Sequence, residues 1–325
     1  MVIIDSYRDC DKEIWDSFVR QSKNGTFLFL RDYMDYHRER FEDNSLLLRN
    51  EKGGLLALLP GHRVDNLFSS HAGLSYGGFI CDVNMTMGTM LEVFEATLLY
   101  LQERGFTRLF YKCIPYIYHS IPAEEDRYAL FLANARLSRR DSLSVIDKHQ
   151  RLPFTDRRMK GVKKAQKMDL YVAESKDYRR FWAILSDVLA SRHRVKPVHS
   201  LTEIELLSSR FPENIKLFAC FQGMEMLAGV VVYESERIVH YQYGAANPQG
   251  KRLGALDMIF DYLINNCYRD KDFIDFGNSN EENGRKLNQG LTNQKEGFGA
   301  RMVVQDFYEI DIGGIQTGDI TGALK

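Results

Sequence analysis

Short apolar runs of strand length, divided by glycine turns, alternate along this chain with longer stretches in which apolar residues recur at helical spacing. Residues 45–49 and Leu55–Leu59 are two such runs about Lys52-Gly53-Gly54, the pattern of a hairpin. A glycine-rich bend from His71 to Phe79 then precedes 85–104, where Met90, Val93, Phe94, Thr97, Leu98 and Leu101 lie on one helical face and Gly105 marks the stop. Residues 109–111 read as the next strand, 123–135 as a helix and 142–146 as a closing strand.

The second half runs through the same order. Strands are expected at 215–221 and 226–233 about Gln222-Gly223, then at 238–243, with a helix over 250–268 and a strand at 273–276. Tyr76-Gly77 and Tyr243-Gly244 each close a strand shortly before a long helix, an order that suggests duplication of one α/β unit. Chance agreement of two generic α/β patterns is the other reading. A chain of 325 residues with 44% apolar content holds enough hydrophobic material for two cores, so two domains are expected, 1–150 and 151–325.

Between them, 148–167 carries Arg151, Arg157, Arg158, Lys160, Lys163, Lys164 and Lys167 on a helix that Thr155 or Asp156 would cap. This is a solvated linker helix, an arm that grips a phosphate-rich substrate or cofactor, or a contact for nucleic acid. The whole chain has a formal charge of −1, from 43 basic and 44 acidic residues, and offers no general field for polyanions. DNA is not expected as a partner. Five scattered cysteines without a CxxC pair argue against a disulfide framework or zinc site, and no apolar stretch reaches membrane-spanning length. With no signal-peptide pattern at the N-terminus, the expected location is the cytoplasm.

The densest local specification lies near the C-terminus, in Asp275-Phe276-Gly277-Asn278-Ser279, Leu287-Asn288-Gln289-Gly290-Leu291 and Lys295-Glu296-Gly297-Phe298-Gly299-Ala300-Arg301. Together with the element order and the basic entry helix, these runs resemble the tandem GNAT-fold acyltransferases related to the FemAB group, within the acyl-CoA N-acyltransferase superfamily. The resemblance covers nearly the whole chain and is strongest over 216–308. It implies an α/β (α+β) architecture of two GNAT-like domains, each a mixed, mostly antiparallel sheet flanked by helices. The first would be a degenerate scaffold and acceptor wall, since nothing after Tyr76-Gly77 has the spacing of a phosphate loop; the second would hold the donor.

The activity implied is transfer of an acyl group from an acyl-CoA-type donor to an amine on a cell-surface polysaccharide or cell-wall precursor. FemAB-like transfer from aminoacyl-tRNA and a non-catalytic binding role are the competing expectations. The donor loop implied by the resemblance is Gln249, Gly250, Lys251, Arg252, Gly254 and Ala255, with Arg252 where the family pattern has its first glycine.

Acyl transfer needs a base for the amine, polarisation of the carbonyl and a proton for the leaving group. The candidates are His240, Tyr243, Asp275 and Glu281, with the backbone near Tyr243 and Gly244 as carbonyl-polarising donors. On an extended strand, His240 and Gln242 would share one face, and Tyr241 and Tyr243 the other. Tyr76, Tyr118, Asn278, Ser279, Asn288, Lys295 and Arg301 are candidate substrate contacts, although Asn288 also suits a helix cap. The first unit adds His71, Ser75, Lys112, Tyr116 and His119. His193 and His199 flank a stretch in which Pro197 ends one helix and Ser200 or Thr202 starts the next. No third ligand accompanies them, and no metal is expected.

Overall fold

The computed structural model describes residues 1–193 and 195–324, without the side chains of Arg192 and His193. The chain forms two compact units, one of 1–141, 283–285 and 304–325 and the other of 142–282 and 286–303. The expected second domain, 151–325, is therefore not one continuous segment. Its last strand pairs residues 307–311 antiparallel with Arg108–Lys112 and so belongs to the first unit. Strand pairing is set by distant partners, which a local pattern does not name.

In the first unit the hairpin Leu46–Asn50 and Leu55–Leu59 is extended by Val2–Ser6 on one side and Ile80–Cys81 on the other. Helix Met87–Glu103 supplies Met90, Leu91, Phe94, Leu98 and Leu101 to the core, and the Thr86 side chain caps it by accepting from Thr89 N. Leu67–Ser69 runs parallel to Arg108–Lys112. The glycine-rich bend is explained by its neighbours. Gly78 has φ +83°, and a Cβ there would come within 2.7 Å of Tyr111 Oη. That hydroxyl accepts from Phe79 N at 2.8 Å and donates to Asp126 at 2.6 Å, so the bend is built to fold over a buried tyrosine.

In the second unit the strand order is Tyr171–Ser175, Ile215–Gln222, Glu225–Glu234, Ile238–Ala246, Phe273–Asn278, then residues 143–147. Among these pairings of described residues, that of Ile238–Ala246 with Phe273–Asn278 is parallel and the others are antiparallel. Alternation along Glu225–Glu234 sends Ala228, Val230 and Val232 into a core with Ile259 and Phe260 of helix Ala255–Tyr262. The opposite face meets helix Tyr178–His193, whose Phe181 ring lies against Gly229. The helix after Pro197 is Leu201–Arg210, started by Ser200 and Glu203 in a reciprocal capping box.

The basic segment becomes helix Asp156–Lys167, with Val162 and Ala165 buried. It crosses close to the junction at Gly254, where a Cβ would stand 2.5 Å from Gly161 O, and Arg158 is tied to Asp257 at 2.6 Å. Arg158 is thus structural, while Arg157, Lys160, Lys163, Lys164 and Lys167 face solvent.

Candidate active site

The parallel pair parts company after three residues. Ile238, Val239 and His240 are in register with Phe273, Ile274 and Asp275, and beyond that point the two strands are not paired with each other. A one-residue bulge accompanies the divergence: Val232 opposes Tyr241 but Val231 opposes Tyr243, leaving Gln242 as the extra residue. The bulge overturns the expected alternation. Tyr241 packs on Phe260 and Phe276, whereas Tyr243 lies against Trp182 with its hydroxyl 2.5 Å from His199 Nδ1.

A cavity of about 200 Å³ occupies the gap. Helix Tyr178–His193 contributes Leu185, Val188 and Leu189, and helix Ala255–Tyr262 contributes Leu256 and Phe260. Phe276, Leu291 and Phe298 complete the apolar wall, and Gly244, Ala245 and Ala246 of the parted strand form one edge. The polar lining is Tyr241, Lys251, Gln294 and Lys295; none of the described lining residues is acidic.

Lys295 is the unusual member. It is 3% exposed, yet its Nζ donates to Gly277 O at 3.0 Å and Asn278 O at 2.6 Å. An ammonium has three N–H donors, so one remains beyond these two carbonyls. Burial lowers its pKa to about 8, against the opposing pull of Asp275. Helix Gln289–Glu296 holds it in place, started by Asn288 accepting from Leu291 N. Asn288 is therefore a cap that also donates to Glu281, and is not among the residues lining the cavity.

Where the strands begin to part, His240 Nδ1 lies 2.9 Å from Asp275 Oδ2, and Asp275 Oδ1 accepts from Gly277 N at 2.7 Å. The carboxylate is 1% exposed and orients the ring, so that in neutral His240 with Nδ1 protonated the acceptor nitrogen is Nε2. Tyr241 is a group the strand pattern did not single out. Its hydroxyl sits against Gly244, where a Cβ would come within 2.1 Å, and burial raises its pKa so that it stays protonated. The hydroxyl of Tyr243 is also pushed up by burial, but it faces His199 away from the cavity lining.

The expected donor loop is a short helix, Pro248–Leu253, because Asn247 caps it by accepting from Gly250 N at 2.7 Å and Pro248 fits its first turn. Gly254 then takes φ +83° and a second helix begins at Ala255. Gly250 N is consequently occupied, and a Cβ at Gly250 would meet Leu227 O at 2.4 Å. Gln249 bonds Gln222, Ala255 is buried, Lys251 lines the cavity and Arg252 is exposed. The glycines of this segment serve packing, and the cations alone are placed to meet an anion.

Other expected residues lie elsewhere. Glu281 belongs to an exposed hairpin with Lys286, and Arg301 is exposed with Nη1 bonded to Ala300 O. Asn278 reaches Lys295 through its carbonyl, and Ser279 is buried with its carbonyl accepting from Asn288 N. In the first unit Tyr76 is buried, its hydroxyl 2.8 Å from Thr26 Oγ1 and its ring against Tyr118. Lys112 is buried beneath the bend, donating to His71 O and Leu74 O, and Ser75 O accepts from Gln305. Tyr116 is exposed and His119 is buried. The His193 side chain lies outside the described residues; His199 is buried beside Tyr243 and accepts through its carbonyl from Trp182 Nε1. Among the described residues no cluster of three or more metal-ligating side chains occurs, and no helix is long and apolar enough to cross a membrane.

Residues 155–283 match the acetyltransferase (GNAT) domain family. In fold the chain is similar to FemX, with TM-score 0.64, 11% identity and coverage of 93% of this chain and 96% of that one. It is similar also to the lysylphosphatidylglycerol synthetase (L-PGS) of Bacillus licheniformis, with TM-score 0.58, 10% identity and coverage of 96% and 95%. A tandem GNAT protein from the clavulanic acid biosynthesis pathway gives TM-score 0.53 at 8% identity, over 97% and 100%. The protein is an acyltransferase of the GNAT fold, FemAB-like in architecture. Its sequence matches no curated protein.

Proposed function

We propose that this protein transfers an acyl group from an acyl-CoA-type donor to an amine on a cell-envelope precursor, with the reaction centred on the gap between the parted strands. The observation that carries this reading is Lys295: a buried ammonium with one donor to spare, in an otherwise largely apolar cavity. In such surroundings a cation aimed at the acyl carbonyl oxygen is strengthened by the low dielectric and stabilises the charge that develops during attack.

The acceptor amine attacks the thioester carbonyl carbon, forming the N–C bond and pushing negative charge onto the carbonyl oxygen beside Lys295. His240, held by Asp275 where the strands begin to part, takes the proton released by the amine, directly or through water. Collapse breaks the C–S bond, and the thiolate takes the proton carried by His240 while the Tyr241 hydroxyl donates a hydrogen bond to the departing sulfur. Lys251 and Arg252 meet the anionic part of the donor. An envelope precursor as acceptor is supported by the fold likeness to lysylphosphatidylglycerol synthetases, whose name places an aminoacyl group on a lipid.

The second reading, an aminoacyl-tRNA donor, is favoured by the exposed face of Arg157, Lys160, Lys163, Lys164 and Lys167, which is the sort of surface that follows a phosphate backbone. Turnover assays with acyl-CoA esters and with charged tRNA, each against amino sugars and their nucleotide-linked forms, separate the two. Turnover of CoA esters that falls sharply in His240→Gln and Lys295→Met supports the first reading. Turnover of charged tRNA alone, weakened steeply by salt, replaces it with the second.

A further inference from the structure

Resting on the donor reading above, we propose that the acyl group is an uncharged aliphatic chain of short to medium length, seated in the cavity between helices Tyr178–His193, Ala255–Tyr262 and Gln289–Glu296. The first argument is charge. The cavity already contains the buried ammonium of Lys295, and no acidic side chain lines it among the described residues; Lys251, which also lines it, is exposed. The nearby carboxylate of Asp275 is engaged by His240 Nδ1 and Gly277 N. An acyl group bearing its own ammonium would add a second cation beside Lys295 in a largely apolar space with no acidic lining to neutralise it.

A chain ending in a carboxylate fares no better beyond the carbonyl. Exposed Lys251 is assigned to the anionic part of the donor, two Lys295 donors are held by backbone oxygens and the third is assigned to the carbonyl, so the far end meets mainly Leu, Val and Phe side chains. A buried carboxylate without a partner is strongly disfavoured. The second argument is size. A cavity of about 200 Å³ has room for roughly six groups the size of a water or methylene, at about 30 Å³ each.

The test measures calorimetric binding of acetyl-, butyryl-, hexanoyl-, decanoyl-, β-alanyl- and succinyl-CoA to the full chain. The same acyl groups are measured on N-acetylcysteamine, which carries no nucleotide. Hexanoyl or butyryl is expected to bind at least roughly tenfold more tightly than β-alanyl or succinyl in both series, a difference of one pKd unit. Leu291 is 38% exposed and outside the buried core, so Leu291→Trp leaves the core packing intact, and this variant should shift the preference towards acetyl. Equal or tighter binding of the β-alanyl or succinyl ester, or an unchanged preference in a folded Leu291→Trp, overturns the proposal. A chain preference on N-acetylcysteamine with no binding of any CoA ester supports the acyl class and sinks the CoA reading instead.

Discussion

Lys295 combines two properties that oppose each other, a charge and near-complete burial, and its chemistry follows from how that conflict is settled. Two backbone carbonyls hold the ammonium, and burial still brings its pKa down to about 8. The cation is present below that value and is lost as pH rises through it. If it stabilises the acyl oxygen, kcat should decline on the alkaline side with a midpoint near 8, and Lys295→Met should remove that limb and lower kcat by roughly a hundredfold. A pH–rate profile of both proteins checks this. In the sequence Lys295 was legible only as one of two cations about a glycine turn, equal in standing to Arg301. Burial separates them: Arg301 is exposed and bonds its neighbour's carbonyl. Asp275 and His240 were legible as chemistry, but their pairing needed the register of two strands 35 residues apart.

At the level of elements, the strands and long helices followed from periodicity, since their apolar positions report a buried face directly. The features that shape the site did not. A bulge at Gln242 adds a single residue and reverses the facing of Tyr243, and no local composition marks it. The donor loop and the helix expected over 250–268 are one interrupted element: Asn247-Pro248 is a helix start and Gly254 a left-handed break between two helices. At Gly254 any side chain meets both φ +83° and the backbone of Gly161. Gly254→Ala should therefore destabilise the protein by at least about 1–2 kcal/mol, measured by urea denaturation. It should also weaken donor binding, because the same junction sets Lys251 against the cavity. An alanine variant as stable as the parent would mean that the two helices do not approach as closely as Gly161 and Gly254 indicate.

For the whole chain, the feature least visible in the sequence is the return of the C-terminal segment to the first unit. After pairing with Arg108–Lys112, the chain ends in a turn fastened by Glu95, whose carboxylate accepts from Gly318 N, Ile320 N, Thr321 N and Thr321 Oγ1. Burial pushes its pKa up, but the donors outweigh burial and hold it below the ordinary 4.5. Its contribution to stability is present above pH 4.5 and fades as pH falls through the lower folded value. Glu95→Gln should cost about 2 kcal/mol near neutrality, with the gap to the parent closing in acid, as followed by denaturant titrations at a series of pH values. The fold class was accessible because two α/β patterns follow each other in order; this fastening was not, since Glu95 reads as one more helical acid among 44 acidic residues. The claim on which the functional account turns is that the acyl carbonyl lies between the parted strands under Lys295. The direct measurement is a crystal structure with a non-transferable acyl-pantetheine analogue: the account predicts the acyl oxygen within hydrogen-bond reach of Lys295 Nζ and its chain against Phe260 and Leu291, and a carbonyl bound elsewhere, or turned away from that nitrogen, would contradict it.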